Sequence, residues 1–210
     1  MTTSPNRFDA LLLFGAPGVG KGTQGKLLGQ IPGFLHVASG DIFRSLDQES
    51  ELGKTFLEYS SKGLLVPDEL TIEMWHEFML AKVENGTYRP QVQMLVLDGI
   101  PRNKKQAEMM DRYIVAHKVI NLVAENDDEL LKRMKRRAEQ QGRLDDAKEE
   151  VIRNRFSVYH METAPMLAHY DEDHHVSEVS AIGSPGRVLM NILNVVIPVQ
   201  EQIFSNALEN

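Results

Sequence analysis

Residues Leu11 to Phe14 form a short apolar run that ends in Gly15-Ala16-Pro17-Gly18-Val19-Gly20-Lys21-Gly22-Thr23, and a helix-forming segment, Gln24 to Gln30, follows. The order is strand, glycine-rich loop, helix. Glycines let successive backbone N–H groups curl around an anion, and the helix N-terminus adds partial positive charge. Lys21 supplies a mobile cation for terminal phosphates. The pattern predicts a nucleoside triphosphate site made by Gly18, Val19, Gly20, Lys21, Gly22 and Thr23. The general phosphate-loop spacing sets Ser or Thr directly after the lysine; here Gly22 intervenes.

The 210 residues suit one α/β domain with insertions, large enough to bury roughly 70% of the unfolded surface. A net charge of −7 argues against a general nucleic-acid surface. A small anionic substrate must then be met by locally placed Arg and Lys. The chain has no cysteine, which excludes disulfides and thiolate zinc. The stretch Met1 to Asp9 is polar, without the apolar region of a signal peptide, and no later run reaches membrane-spanning length. The expectation is a cytoplasmic protein with no membrane partner.

Four further apolar runs read as buried strands: Phe34 to Ala38, Met94 to Leu97, Val119 to Val123 and Val176 to Val179. Helical patterns separate them. This alternation predicts a five-stranded parallel sheet covered on both faces. Ligands of such sheets sit beyond the carboxyl ends of the strands. The core is expected over 8–38, 81–132 and 147–197. Residues 39–80 read as a helical insertion, with Ser39 or Asp41 capping its first helix and Asp68 its last. A helix over Asp127 to Ala138 should meet a polar break, Glu139-Gln140-Gln141-Gly142. A further helix should run from Asp145 to Tyr170 and bend near Pro165. The segment 133–146 reads as a short lid, and 198–210 as a tail with no assigned role.

Asp98 closes the third strand, where an acid is either a turn residue or the holder of Mg²⁺. Beside a phosphate loop the second role is preferred. Arg133 and Arg137 are four apart and share a helix face. Arg143 and Arg155 lie beyond the polar break, Arg44 one turn after Asp41, and Arg102 just after Asp98-Gly99-Ile100-Pro101. Arginines on two helical arms can close a positive jaw over phosphates, because the guanidinium bonds oxygens in pairs and stays charged. The competing reading is a solvated basic face, assigned to Lys132, Lys135 and Arg136. His174-His175 should point to opposite faces of a strand and hold no metal. His36, His117, His160 and His169 read as surface or hydrogen-bonded core residues. Met109, Met110, Met161 and Met166 read as core filler, and Trp75 as packing for an insertion helix.

These motifs resemble the adenylate kinases of the nucleoside-monophosphate kinase family. Gly15 to Gln24 matches that family's phosphate loop, including the glycine between Lys21 and Thr23. Ser39-Gly40-Asp41-Ile42-Phe43-Arg44 is similar to its monophosphate motif, and Gly63 to Glu69 to its adenine-contacting turn. Asp98-Gly99-Ile100-Pro101-Arg102 with Gln106 is similar to its central signature. Gly142-Arg143-Leu144-Asp145-Asp146, Arg155 and Thr163-Ala164-Pro165 are similar to its lid and the helix after it.

The resemblance implies a phosphate-loop fold and reversible transfer from Mg·ATP to AMP, giving two ADP, by a monomer. It implies that Gly18 to Thr23 and Arg137 hold ATP phosphates, with Gly183 near the adenine. Ser39, Arg44, Leu64, Leu65, Val66, Gly99, Ile100, Pro101, Arg102 and Gln106 would line the AMP site. Arg133, Arg143 and Arg155 would face the phosphates, and Asp98 would order Mg²⁺ through water, without zinc. Lys21, Arg102, Arg133, Arg137, Arg143 and Arg155 form the catalytic set. Ile100 stands where the family has Phe, and Ser39 where adenylate kinases have Thr. A UMP/CMP kinase on the same scaffold, or an inactive nucleotide-binding regulator, are the alternatives.

Overall fold

The computed structural model describes residues 7–124, 126–141, 148–171 and 175–204. Five strands form one parallel sheet in the order β2-β3-β1-β4-β5: β1 Phe8–Gly15, β2 Phe34–Ala38, β3 Met94–Asp98, β4 Ile114–Val123 and β5 Val176–Ser180. Side chains alternate across the sheet, as the period of a strand requires. Ala10, Leu12, Phe14, Leu95 and Leu97 enter one apolar cluster, and Leu11, Leu13, Met94 and Val96 enter the other. Both faces are therefore dry, which explains the unbroken apolar runs in the sequence.

Helices α1 Lys21–Leu28, α6 Asp127–Gln141, α7 Glu149–Val158 and α9 Pro185–Ile203 supply the second cluster. Helices α4 Asp68–Glu84, α5 Lys104–Met110 and α8 Ala164–Asp171 supply the first. Trp75, 1% exposed on α4, meets the Phe8 ring edge-on at 6.3 Å, so the last insertion helix packs on the sheet itself. Between α7 and α8 the chain widens into a π turn, Tyr159–Thr163. The π turn comes just before Pro165, which has no N–H to close a turn onto Met161.

Strand β4 is longer than its apolar run. Its first half carries a bulge that skips His117: Ala10 pairs with Ala116 and Leu11 with Lys118. His117 Nε2 lies 2.7 Å from Asp9 Oδ1, so these two polar residues partner each other where they interrupt the apolar pattern.

Several expectations are corrected. Ser39 does not cap α2 (Ser39–Arg44): the cap position is Ala38, and the Ser39 hydroxyl donates instead to the Gly99 carbonyl at 2.6 Å. Asp41 also lies within α2, where it pairs with Arg44 at 2.6 Å. Asp68 is the first helical residue after Pro67, and its carboxylate accepts from Asn103 and Gln106 rather than from its own helix. Glu139, Gln140 and Gln141 continue α6 rather than break it. Residues 198–203 complete α9, with Gln200 buried, and Phe204 is buried after it. Met161 is 65% exposed on the π turn and fills no core. Met110 and Met166 are buried as expected. Residues 142–147, 172–174 and 205–210, including Arg143 and His174, lie outside the described residues.

The packing of α1 on β2 depends on Gly25, where a Cβ would overlap the His36 ring. Gly25→Ala should therefore destabilise the fold by about 1–2 kcal/mol, although alanine is the better helix former. In a His36→Ala background the same change should be neutral or stabilising. Urea unfolding of the four species checks this, and an additive cycle would contradict it.

Candidate functional site

Strands β1, β2 and β3 are parallel, so their carboxyl ends, Gly15, Ala38 and Asp98, meet at one edge of the sheet. The loop from Gly15 to Gly20 leaves β1 there and turns into α1. Two of its glycines are sterically required. Gly15 has φ +135°, and a Cβ would stand 2.5 Å from the Leu122 carbonyl oxygen. Gly18 has φ +82°, and a Cβ would stand 2.8 Å from the Leu130 carbonyl oxygen. The loop is pressed against β4 and α6, and only glycine fits at these two points.

Lys21 bends back under this loop. Its Nζ donates to the carbonyls of Gly15 at 2.6 Å and Ala16 at 3.1 Å. Burial lowers its pKa from 10.5 to about 8; Asp98 opposes that shift, and Arg102, Arg155 and Arg137 reinforce it. The charged lysine is thus held where water is scarce and like charges converge, a setting that a polyphosphate relieves.

A cavity of about 630 Å³ opens over this floor. Gly18, Val19, Gly20, Gly22, Thr23 and Gly183 line one side, with Ser39, Arg44, Leu64, Leu65, Val66, Gly99, Pro101, Arg102 and Gln106 on the other. Arg133 and Arg137 reach it from α6 and Arg155 from α7. Among the described residues, eight Lys and Arg side chains line the cavity against two carboxylates, Asp41 and Asp98. In a chain of net charge −7 this is a strong local inversion, and a cleft of one sign concentrates anions.

The adenylate kinase family model matches residues 13–175. The chain belongs to the adenylate kinase family. Over 188 residues it is 36% identical to the adenylate kinase of Kocuria rhizophila, covering 87% of this chain and 96% of that one. Over 189 residues it is 34% identical to the adenylate kinase of Thermus thermophilus, covering 88% and 95%. Over 183 residues it is 33% identical to adenylate kinase isoenzyme 1 of Bos taurus, covering 87% and 91%.

Among the described residues, one family-derived site residue does not line this adenylate kinase cavity. Ile100 is 2% exposed and packs into the core, so its place in the signature, where the resemblance sets Phe, is a packing position. Arg143 lies outside the described residues. Arg136 is exposed, in keeping with its reading as a solvated cation, and it also borders the open cavity, one residue from Arg137 on α6.

Sequence reasoning also missed an apolar wall and a tether. Phe43 and Phe56 stack with ring centroids 5.3 Å apart, and both line the cavity. Phe43 lay inside the quoted monophosphate motif, but nothing in the sequence marked Phe56. The Thr163 hydroxyl donates to the Arg102 carbonyl at 2.6 Å, and Arg102 Nε donates to the Gly99 carbonyl at 2.8 Å. Thr163 thus fixes from α8's side the backbone that carries Arg102. Its quoted neighbours Ala164 and Pro165 gave it no separate role.

Because the free protein's Lys21 has a lowered pKa, it loses its proton above about pH 8. A bound anion restores that proton. ATP affinity should therefore weaken by up to about tenfold per pH unit above that point, while ATP itself stays fully ionised. Calorimetry between about pH 7.5 and 9.5 reads this limb, which Lys21→Met should abolish. A flat profile for the unaltered protein would contradict it.

Proposed function

We propose that this chain transfers the terminal phosphoryl group of ATP to AMP, reversibly, giving two ADP. The observation that carries the reading is the convergence of Lys21, Arg102, Arg133, Arg137 and Arg155 on one cavity, from the phosphate loop, the loop after β3, α6 and α7. A protein that only binds nucleotide needs cations around one phosphate chain. A cavity charged from several sides suits a phosphoryl group passing between two.

In this transfer an oxygen of the AMP phosphate forms a bond to the γ-phosphorus as the bond from that phosphorus to the bridging oxygen of ADP breaks. The nucleophile is already an anion, so no strong general base is needed. The protein's tasks are in-line placement and stabilisation of spreading negative charge. Lys21 and Arg137 would take the ATP phosphates, and Arg44 and Arg102 the AMP phosphate. Arg133, Arg143 and Arg155 would face the group in flight. Gly183 would neighbour the ATP base. Leu64, Leu65, Val66 and Gln106 would border the AMP base.

The residues fit a magnesium ion carried in with ATP. Asp98 ends β3 at the cavity floor, and because Gly22 has no side chain, its carboxylate stays open to the phosphate loop; a Cβ there would lie 3.5 Å from Oδ2. Among the described residues no group of three or more His, Asp or Glu could hold a metal unaided, which suits an ion shared with phosphates. Asp98 would hold it through water, and the ion would supply charge neutralisation on the β- and γ-phosphates. The expectation of a monomer stands as part of this proposal.

ADP formation from Mg·ATP with AMP, UMP, CMP and GMP in parallel tests the reading. AMP should be the preferred acceptor, and Lys21→Met or Arg155→Ala should each lower kcat on the order of 10²–10³-fold. Arg143→Ala should fall in the same range. Preference for UMP or CMP would move the chain to a pyrimidine monophosphate kinase, and tight ATP binding without turnover to a regulator.

A further inference from the structure

Gln106 is 1% exposed and borders the cavity beside Arg102 and Val66. Its Oε1 accepts from the backbone N–H of Arg102 at 2.8 Å, and its Nε2 donates to Asp68 Oδ1 at 2.9 Å. Neither partner can exchange roles: a backbone N–H only donates, and a carboxylate only accepts. The same Asp68 oxygen accepts from Asn103 Nδ2 at 2.9 Å, and Asn103 Oδ1 accepts from the Gln106 backbone N–H at 2.8 Å. Asp68 lies at the start of α4, is 17% exposed in its side chain, and does not line the cavity.

A primary amide is nearly symmetric in shape, and turning it half a revolution exchanges its donor for its acceptor. Free to turn, Gln106 could pair with a 6-aminopurine or a 6-oxopurine equally well. Held by Asp68 and Arg102, it keeps one Oε1 lone pair and one Nε2 hydrogen in fixed places. That edge suits an exocyclic amino group that donates, beside a ring nitrogen that accepts. A 6-oxopurine meets it acceptor to acceptor.

We propose that Asp68 is a positioning residue for base choice: by fixing the orientation of the Gln106 amide, it makes the monophosphate site select a 6-aminopurine over a 6-oxopurine. This rests on the proposed function, in which the AMP base lies against Gln106. Asp68 acts through Gln106 and touches no substrate. A purely structural role, tying α4 to α5, would impair both purines alike.

The test compares kcat/KM for AMP and IMP at saturating ATP in the unaltered protein, Asp68→Ala and Asp68→Asn. Asp68→Ala removes the acceptor, and the AMP-to-IMP ratio should fall about tenfold, with KM for ATP unchanged. Asp68→Asn keeps an acceptor oxygen, oriented by Asn103, and should hold the ratio within about twofold. Asp68→Ser, too short to reach the amide, replaces Asp68→Ala if that variant does not fold. A ratio unmoved in Asp68→Ala or Asp68→Ser overturns the inference, as does an Asp68→Asn ratio as low as theirs. Unaltered protein that transfers nothing to AMP overturns the proposed function and this inference together. AMP transfer with an unmoved ratio overturns this inference alone.

Discussion

A lysine charge withdrawn from water and surrounded by further cations is the constraint around which this molecule is arranged. Lys21 lies beneath the phosphate loop, its pKa lowered to about 8, with Arg102, Arg155 and Arg137 adding repulsion and Asp98 the main relief. Such a group is unfavourable in the free protein and is compensated when phosphates arrive. It persists because the fold leaves it nowhere else to go. Gly15 and Gly18 press the loop onto β4 and α6, and both faces of the sheet are packed. The parallel topology brings the ends of β1 and β3 side by side, so Asp98 stands opposite the loop.

A second layer of hydrogen bonds ties the Ser39 side of the cavity to this floor. The Gly99 carbonyl accepts from both the Ser39 hydroxyl and Arg102 Nε, joining the start of α2 to the loop after β3. Thr163 holds the Arg102 carbonyl, and Gln106 holds the Arg102 N–H. Arg102 is therefore fixed by both backbone polar groups as well as by its side chain. Cations placed this way need little reorganisation when charge develops between them, which is the source of most electrostatic catalysis. Ser39 keeps the hydroxyl this network requires, so the methyl missing relative to Thr leaves the hydrogen bond intact.

The sheet could be read from sequence because its central strands, β1 and β3, are buried on both faces and show as apolar runs, whereas the edge strand β5 is marked only by Val176 and Val179. Strand β4 was half hidden, since its bulge brings His117 and Lys118 into the pattern, and His117 is accounted for only by its tertiary pair with Asp9. Helix caps were misplaced at Ser39 and Asp68 for a shared reason. Each polar side chain prefers a partner distant in sequence, Gly99 in one case and Asn103 with Gln106 in the other. The residues that sequence singles out most readily are those of specific chemistry, and the phosphate-loop glycines, Lys21, Asp98, Arg102, Arg133, Arg137 and Arg155 all border one cavity. Generic chemistry is less legible: Ile100 sits in a signature but faces the core, and Phe56 lines the cavity without a signature.

Phosphoryl transfer to a nucleotide succeeds only if water does not compete, and the cavity walls bear on this directly. The stacked Phe43 and Phe56 rings make part of the cavity wall apolar, and α6 contributes its arginines to the lining. The most direct measurement is the fate of a labelled γ-phosphate from Mg·ATP in the presence of AMP. Label is expected in the β-position of ADP, with two ADP formed for each ATP consumed and negligible inorganic phosphate. Label released as inorganic phosphate, with AMP left unchanged, would contradict it.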